Sequence, residues 1–219
     1  MNRKIMTMLI ACLLVFLHNI TAQTKQQFSG NIGFGYNNGF GIEVNLMLRD
    51  FAEGFPLALR TGFGIAFIDP GKPMDARKIF INDNTNGVPE ESGKIVDLRF
   101  DFMLPLSKKI YLFAGPRYSM FTGNFKFVGG NEDFDVSSNQ WAAGVGAEGY
   151  FKVSSAFDLV LSLGYDFYFK DALYGHDTTY TPDNENINSR KEFEYKDADD
   201  AINQPNGSIR AMFGLSLNL

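Results

Sequence analysis

The sequence predicts an all-β fold in which eight antiparallel strands run up and down and close into a transmembrane barrel. Three observations carry that expectation. Eight segments alternate apolar and polar residues with period two, the signature of strands with one apolar face. The last of them, Gly207 to Leu219, alternates without a slip to the final residue. A long apolar strand there needs a partner, and pairing with the first strand closes the sheet and removes both edges. The connections, with one exception, alternate between short and long, which puts tight turns at one end of the barrel and bulky loops at the other.

Composition agrees. The chain has 219 residues, enough for one barrel domain, with 22 glycines, 22 phenylalanines and only 21% charged residues. Two segments are expected: residues 1–22 as a cleaved secretory signal and residues 23–219 as the barrel. Arg3 and Lys4 precede an apolar core from Ile5 to Leu17, too short to span a membrane as a helix, and Ile20-Thr21-Ala22 ends in a small residue suited to cleavage. Cys12 reads as part of that core, so the remaining chain has no thiol chemistry. Setting aside Arg3 and Lys4, the basic residues fall from 20 to 18 against 25 acidic, and the formal charge moves from −5 to −7. With no basic stripe, nucleic acid is not an expected partner.

Strand one is expected from Phe28 to Asn37, with Phe28, Ile32, Phe34 and Tyr36 opposite Ser29, Asn31, Gly33 and Gly35. Asn37-Asn38-Gly39 signals a tight turn into strand two, Phe40 to Arg49, where Gly41, Glu43, Asn45, Met47 and Arg49 form the polar side. Strand three runs from Leu57 to Ile68 with Arg60 among small residues on its polar side. Strand four, Lys94 to Leu106, places Asp97, Arg99, Asp101 and Met103 on that side. Strand five, Ile110 to Phe121, contains Gly115-Pro116, where a missing donor suggests a bulge that shifts the register. Strand six, Gln140 to Lys152, sets Trp141 and Phe151 against Glu148. Strand seven, Phe157 to Phe169, sets seven large apolar residues against Asp158 and Asp166. Polar segments 69–93, 122–139 and 170–206 read as the long loops. Within the first, Met74 to Ile81 reads as a short amphipathic helical turn over the barrel mouth.

Alternation alone does not say which face meets which solvent. The polar face does, because it carries Gly, Ser, Ala, Asn and charged partners but no lysine, unlike a water-facing sheet surface. Small residues with arginine–carboxylate pairs suit the lumen of an eight-stranded barrel, which side chains fill. The expected interior network is Glu43, Arg49, Arg60, Asp97, Arg99, Asp101, Arg117, Glu148, Asp158, Asp166 and Arg210. On the apolar face, rings gather towards both ends: Phe28, Phe151 and Phe157 near the short turns, and Tyr36, Phe40, Phe67, Trp141 and Phe169 near the long loops. Those positions suit interfacial girdles.

Eight alternating strands, glycine-rich stretches such as Trp141-Ala142-Ala143-Gly144-Val145-Gly146-Ala147 and the apolar terminal strand resemble the small outer-membrane β-barrel domain family, similar to OmpA and OmpX. The resemblance covers the chain after the signal and is one of pattern. It implies a cell outer-membrane location in a Gram-negative bacterium, contact with lipid and lipopolysaccharide, and a last strand read by the barrel-assembly machinery. Phe213, Leu215, Leu217 and Leu219 would carry that signal, although family members usually close on an aromatic residue.

No catalytic set, cofactor site or metal site is expected. Enzymes of this architecture use a histidine, and here His176 lies in a polar segment with no nucleophile motif. The acidic runs Asn131 to Asp135 and Asp197 to Asp200 lack calcium-loop spacing. The expected role is structural, adhesive or protective, with the long loops meeting a surface protein or host partner. Three alternatives are a narrow passive porin-like channel, a lipid-modifying barrel enzyme and a soluble lipocalin-like carrier.

Overall fold

The computed structural model describes residues 27–52, 54–84 and 86–218. The expected signal segment, the polar lead before Gln27 and Leu219 lie outside the described residues. The long strands are β1 (Gln27–Asn37), β2 (Phe40–Arg49), β3 (Ala58–Ile68), β4 (Val88–Pro105), β5 (Ile110–Val128), β6 (Asp133–Lys152) and β7 (Phe157–Tyr168). Two short strands, β8 (Leu173–Gly175) and β9 (Thr178–Tyr180), precede the last strand, β10 (Gly207–Asn218). Each long strand pairs antiparallel with its neighbour, and β10 lies between β7 and β1, so the eight strands close into a barrel. The β1–β10 register runs from Ser29 opposite Asn218 to Asn37 opposite Arg210.

The side-chain faces follow the alternation. Ile32, Phe34, Val44, Phe63, Leu161 and Leu215 are exposed on the outer wall, while Ser29, Asn45, Arg60, Asp101, Glu148 and Ser216 are buried within. This inverts a water-soluble sheet protein.

Two sequence expectations need correction. Gly115-Pro116 does not shift the register. Arg99 faces Arg117 and Phe102 faces Ala114, so the pairing simply skips Phe100 and Asp101 and resumes in step. Gly115 lies against the Phe100 carbonyl, where a Cβ would come within 1.8 Å of the oxygen, so only glycine fits.

The second correction concerns the long loops. Residues 122–139 are mostly strand, and β4 begins at Val88 rather than Lys94. Beyond the end of β3, strands β4, β5 and β6 continue upward as a three-stranded ribbon. Its alternation persists with the faces exchanged: Phe125, Phe127, Phe134 and Val136 are buried, while Lys126, Asp133 and Asp135 are exposed. Against the ribbon's inner face lie α1 (Pro73–Phe80) and α2 (Tyr195–Ala201), while the β8–β9 hairpin extends the sheet from the edge of β6, with Val136 opposite Gly175 and Ser137 opposite Tyr174.

Together these elements form a cap with its own apolar core. Ile79, Phe80, Leu173, Tyr180, Ala198 and Ile202 pack with ribbon residues and with Ala66, Ile95 and Phe121 at the top of the inner wall. Pro73 starts α1, where its missing donor is harmless. A reciprocal capping box between Glu194 and Asp197 starts α2. The two long connections are tied together where Lys72 N–H donates to Ala201 O at 2.8 Å and Asn203 N–H donates to Pro70 O at 2.9 Å.

Candidate functional site: the charged lumen

Inward positions on β2, β3, β4, β5, β6, β7 and β10 bring four arginines and their carboxylates into one cluster. Arg60 is at its centre and is wholly buried. Its Nε and Nη2 donate to Asp101 Oδ2 at 2.9 and 2.7 Å, and its Nη1 donates to Glu148 Oε2. Tyr150 O–H donates to the other oxygen of Glu148 at 2.5 Å. Arg99 Nη1 donates to Glu43 Oε2 at 2.9 Å and Arg99 Nε to Asp101 Oδ2 at 3.1 Å. Arg117 pairs with Asp101 Oδ1 at 2.6 Å and with Asp166 Oδ1 at 3.2 Å. Arg210 reaches Glu43 at 3.4 Å.

Amides complete the shell. Asn45 Nδ2 donates to Asn31 Oδ1 and Glu43 Oε1, and Asn37 Nδ2 donates to Asp97 Oδ2 at 3.1 Å. Buried charges are costly alone, and removing one partner strands the others. The cavity among Asn37, Glu43, Asp97, Arg117, Asp166 and Arg210 is about 10 Å³, room for about one water.

Phe113, which the sequence did not single out, lies within this cluster. Its ring is 4.6 Å from the Arg60 guanidinium carbon, 5.4 Å from that of Arg99, 5.6 Å from that of Arg210 and 6.0 Å from that of Arg117. One aromatic face among four cations is a favourable electrostatic arrangement in a desolvated site. Gly146 and Gly164 make room for it, since a Cβ at either would lie 2.4 or 2.9 Å from Phe113 Cζ. Below the ring, Met47, Ala58, Met103, Tyr150 and Val160 form an apolar layer towards the short turns. From the short-turn end upward, the lumen therefore holds an apolar layer, an ionic layer and the cap core.

Two expected network members stand elsewhere. Arg49 lies against the Tyr150 and Tyr111 rings, 5.4 and 5.9 Å away, at the short-turn mouth. Asp158 lines the same recess of about 740 Å³. Strand ends open into that mouth, so inward parity there does not mean burial in the lumen. The expected aromatic rings all point outward, from 37% exposure at Phe28 to 60% at Phe169. Phe213, Leu215 and Leu217 share that outer wall.

The remaining candidates separate from the lumen. His176 is exposed beside Asp177, 3.5 Å away, in the turn of the β8–β9 hairpin. Asp133 and Asp135 belong to β6 and accept hydrogen bonds from Asn124, each at 2.9 Å. Asp197 to Asp200 fall within α2. Among the described residues, no group of three or more His, Cys, Asp or Glu side chains is placed to hold a metal ion.

An apolar outer wall around an ion-paired lumen is the architecture of a small outer-membrane barrel. Comparison with solved structures bears on the barrel fold. A major outer membrane protein from Thermus thermophilus is 24% identical, with 89% of this chain and 99% of that chain covered and a TM-score of 0.72. The likeness is one of fold. Ail, the attachment invasion locus protein of Yersinia pestis, aligns over 90% of this chain and 100% of its own at 11% identity and a TM-score of 0.45. Neisserial surface protein A aligns over 89% and 96% at 10% identity and a TM-score of 0.40. No protein-family model and no curated protein matches the chain.

Proposed function

We propose that this chain spans the outer membrane of a Gram-negative bacterium as a closed, non-enzymatic barrel and presents a folded cap at the cell surface. The observation that carries this reading is the inverted wall. Large apolar side chains such as Ile32, Phe63, Val145 and Leu163 are exposed all around it, while arginines and carboxylates are buried inside. Water outside such a wall would be strongly unfavourable, whereas hydrocarbon outside it is not. The ionic layer then acts as a structural fill and not as a conduction path. Contacts with lipopolysaccharide, host or neighbouring proteins fall to the cap, in an adhesive or protective role. The barrel-assembly machinery reads β10 before the sheet closes.

Two measurements test this. In planar lipid bilayers the wild-type protein gives no steady large conductance; such a conductance would replace the filled lumen with a pore. On intact cells, a label restricted to the outside reaches exposed cap residues such as Lys191 and Lys196; labelling only after the outer membrane is opened would overturn the surface assignment.

A further inference from the structure

The strongest unassigned feature is the level at which the sheet changes faces. On the outside of β4, β5 and β6, Leu98, Tyr118 and Trp141 form one cross-strand row, and Val96, Met120 and Asn139 the next. The following row is Lys94, Thr122 and Ser137, and beyond it come Ser92, Asn124 and Asp135. The inner face changes in the opposite sense at the same level, from Asp97 and Ser119 to Ile95 and Phe121. A simultaneous exchange on both faces marks the plane where hydrocarbon outside the wall gives way to water.

Lys94 occupies the first row above that plane and is exposed, with Thr122 and Ser137 half-buried beside it. Directly paired residues place successive Cβ atoms about 5 Å apart, so the ammonium and both hydroxyls fall within reach of one small tetrahedral anion. Lys94 makes no ion pair among the described residues, unlike Arg77, Lys170 and Arg190 of the cap, which pair with Glu132, Asp199 and Glu192. The Thr122 and Ser137 hydroxyls make no hydrogen bond there either. One row further out, Asp135 closes the site towards water, and Asp133 and Glu90 follow, so an anion is favoured only at the boundary row. Below it, Leu98, Tyr118 and Trp141 form an apolar strip, with the two rings in edge contact at 5.1 Å.

We propose that Lys94, Thr122 and Ser137 seat the phosphate of one membrane lipid, whose acyl chains run down the Val96, Leu98, Tyr118 and Trp141 strip. The lysine supplies charge, and the hydroxyls donate to phosphate oxygens. This rests on the membrane-spanning reading above.

Native mass spectrometry of the detergent-solubilised protein with dioleoyl phosphatidic acid tests it. Wild type retains one phosphatidic acid. Lys94→Gln weakens retention about fivefold, the effect of one cation near a lipid surface. Lys126→Gln, two rows further out, leaves retention unchanged. Equal retention in wild type and Lys94→Gln, or equal loss in both variants, overturns the site. Displacement by inorganic phosphate at matched concentration overturns a lipid as its occupant. A boiling-dependent gel shift in both variants verifies folding. Insertion into vesicles with no Lys94 effect sinks this inference alone, whereas a wild type soluble without detergent sinks the membrane reading beneath it.

Discussion

The barrel and the cap share three strands, yet they bury opposite chemistry. Along β5, Arg117 and Ser119 point into the barrel, and Phe121, Phe125 and Phe127 point into the cap core. On the outer side, Tyr118 and Met120 give way to Asn124 and Lys126. Period two never breaks; only the solvent assigned to each face changes. Strand geometry is therefore set by alternation, and the medium outside decides which half of the alternation is buried.

That contrast can be broken first at Arg60. Arg60→Met leaves Glu148 with Tyr150 and weakens the hold on Asp101, and about 3–5 kcal/mol of barrel stability should be lost. Denaturant unfolding in micelles measures it; a loss under about 1 kcal/mol would mean that the ionic layer is dispensable. The outer wall responds next. Leu161→Arg places a charge in the apolar belt and should cost about 2–4 kcal/mol, while Ser92→Arg on the exposed ribbon should cost under about 0.5. Equal costs in lipid-reconstituted protein would erase the proposed boundary.

Smaller effects test the cap alone. Asp197→Ala removes the carboxylate that accepts from Glu194 N–H at 2.8 Å and should lower local stability by about 1 kcal/mol. Hydrogen exchange should rise in α2 and not in β10. The smallest effect is a pH dependence. Tyr195 O–H donates to Asp171 O at 3.2 Å, and burial, with Asp199 nearby, pushes its hydroxyl up to about 12. Because the folded state favours the neutral phenol, that contribution is complete below the ordinary tyrosine value near 10 and is lost as the pH rises through about 12. Tyr195→Phe should remove this alkaline phase from cap melting, and an unchanged profile would assign the phase to another group.

The barrel was legible because its wall carries large apolar residues on most outward steps. Inward placement of Glu43, Arg60, Asp101 and Glu148 followed from parity alone. The ribbon was harder to read, since from Thr122 to Asn139 the large rings shift to the inner face while Asp, Asn, Ser and Gly make up ten of the eighteen residues. Those residues carry the weight of a loop unless the change of solvent is anticipated. The three-residue strands β8 and β9 are too short for a period to register, and α2 opens on an acidic stretch resembling a solvated loop. Phe113 escaped notice because Gly115-Pro116 obscured the face of its strand. Arg49 and Asp158 share the network's parity but not its depth, because parity gives the side of a wall and not the position along it.

Gel migration of the membrane-extracted protein, unboiled against boiled, together with outer-membrane fractionation, tests the inverted wall most directly. The expected result is recovery with the outer membrane and a mobility shift on boiling, because a closed barrel resists detergent until heated. A protein recovered soluble from the periplasm, with one mobility before and after boiling, would contradict it.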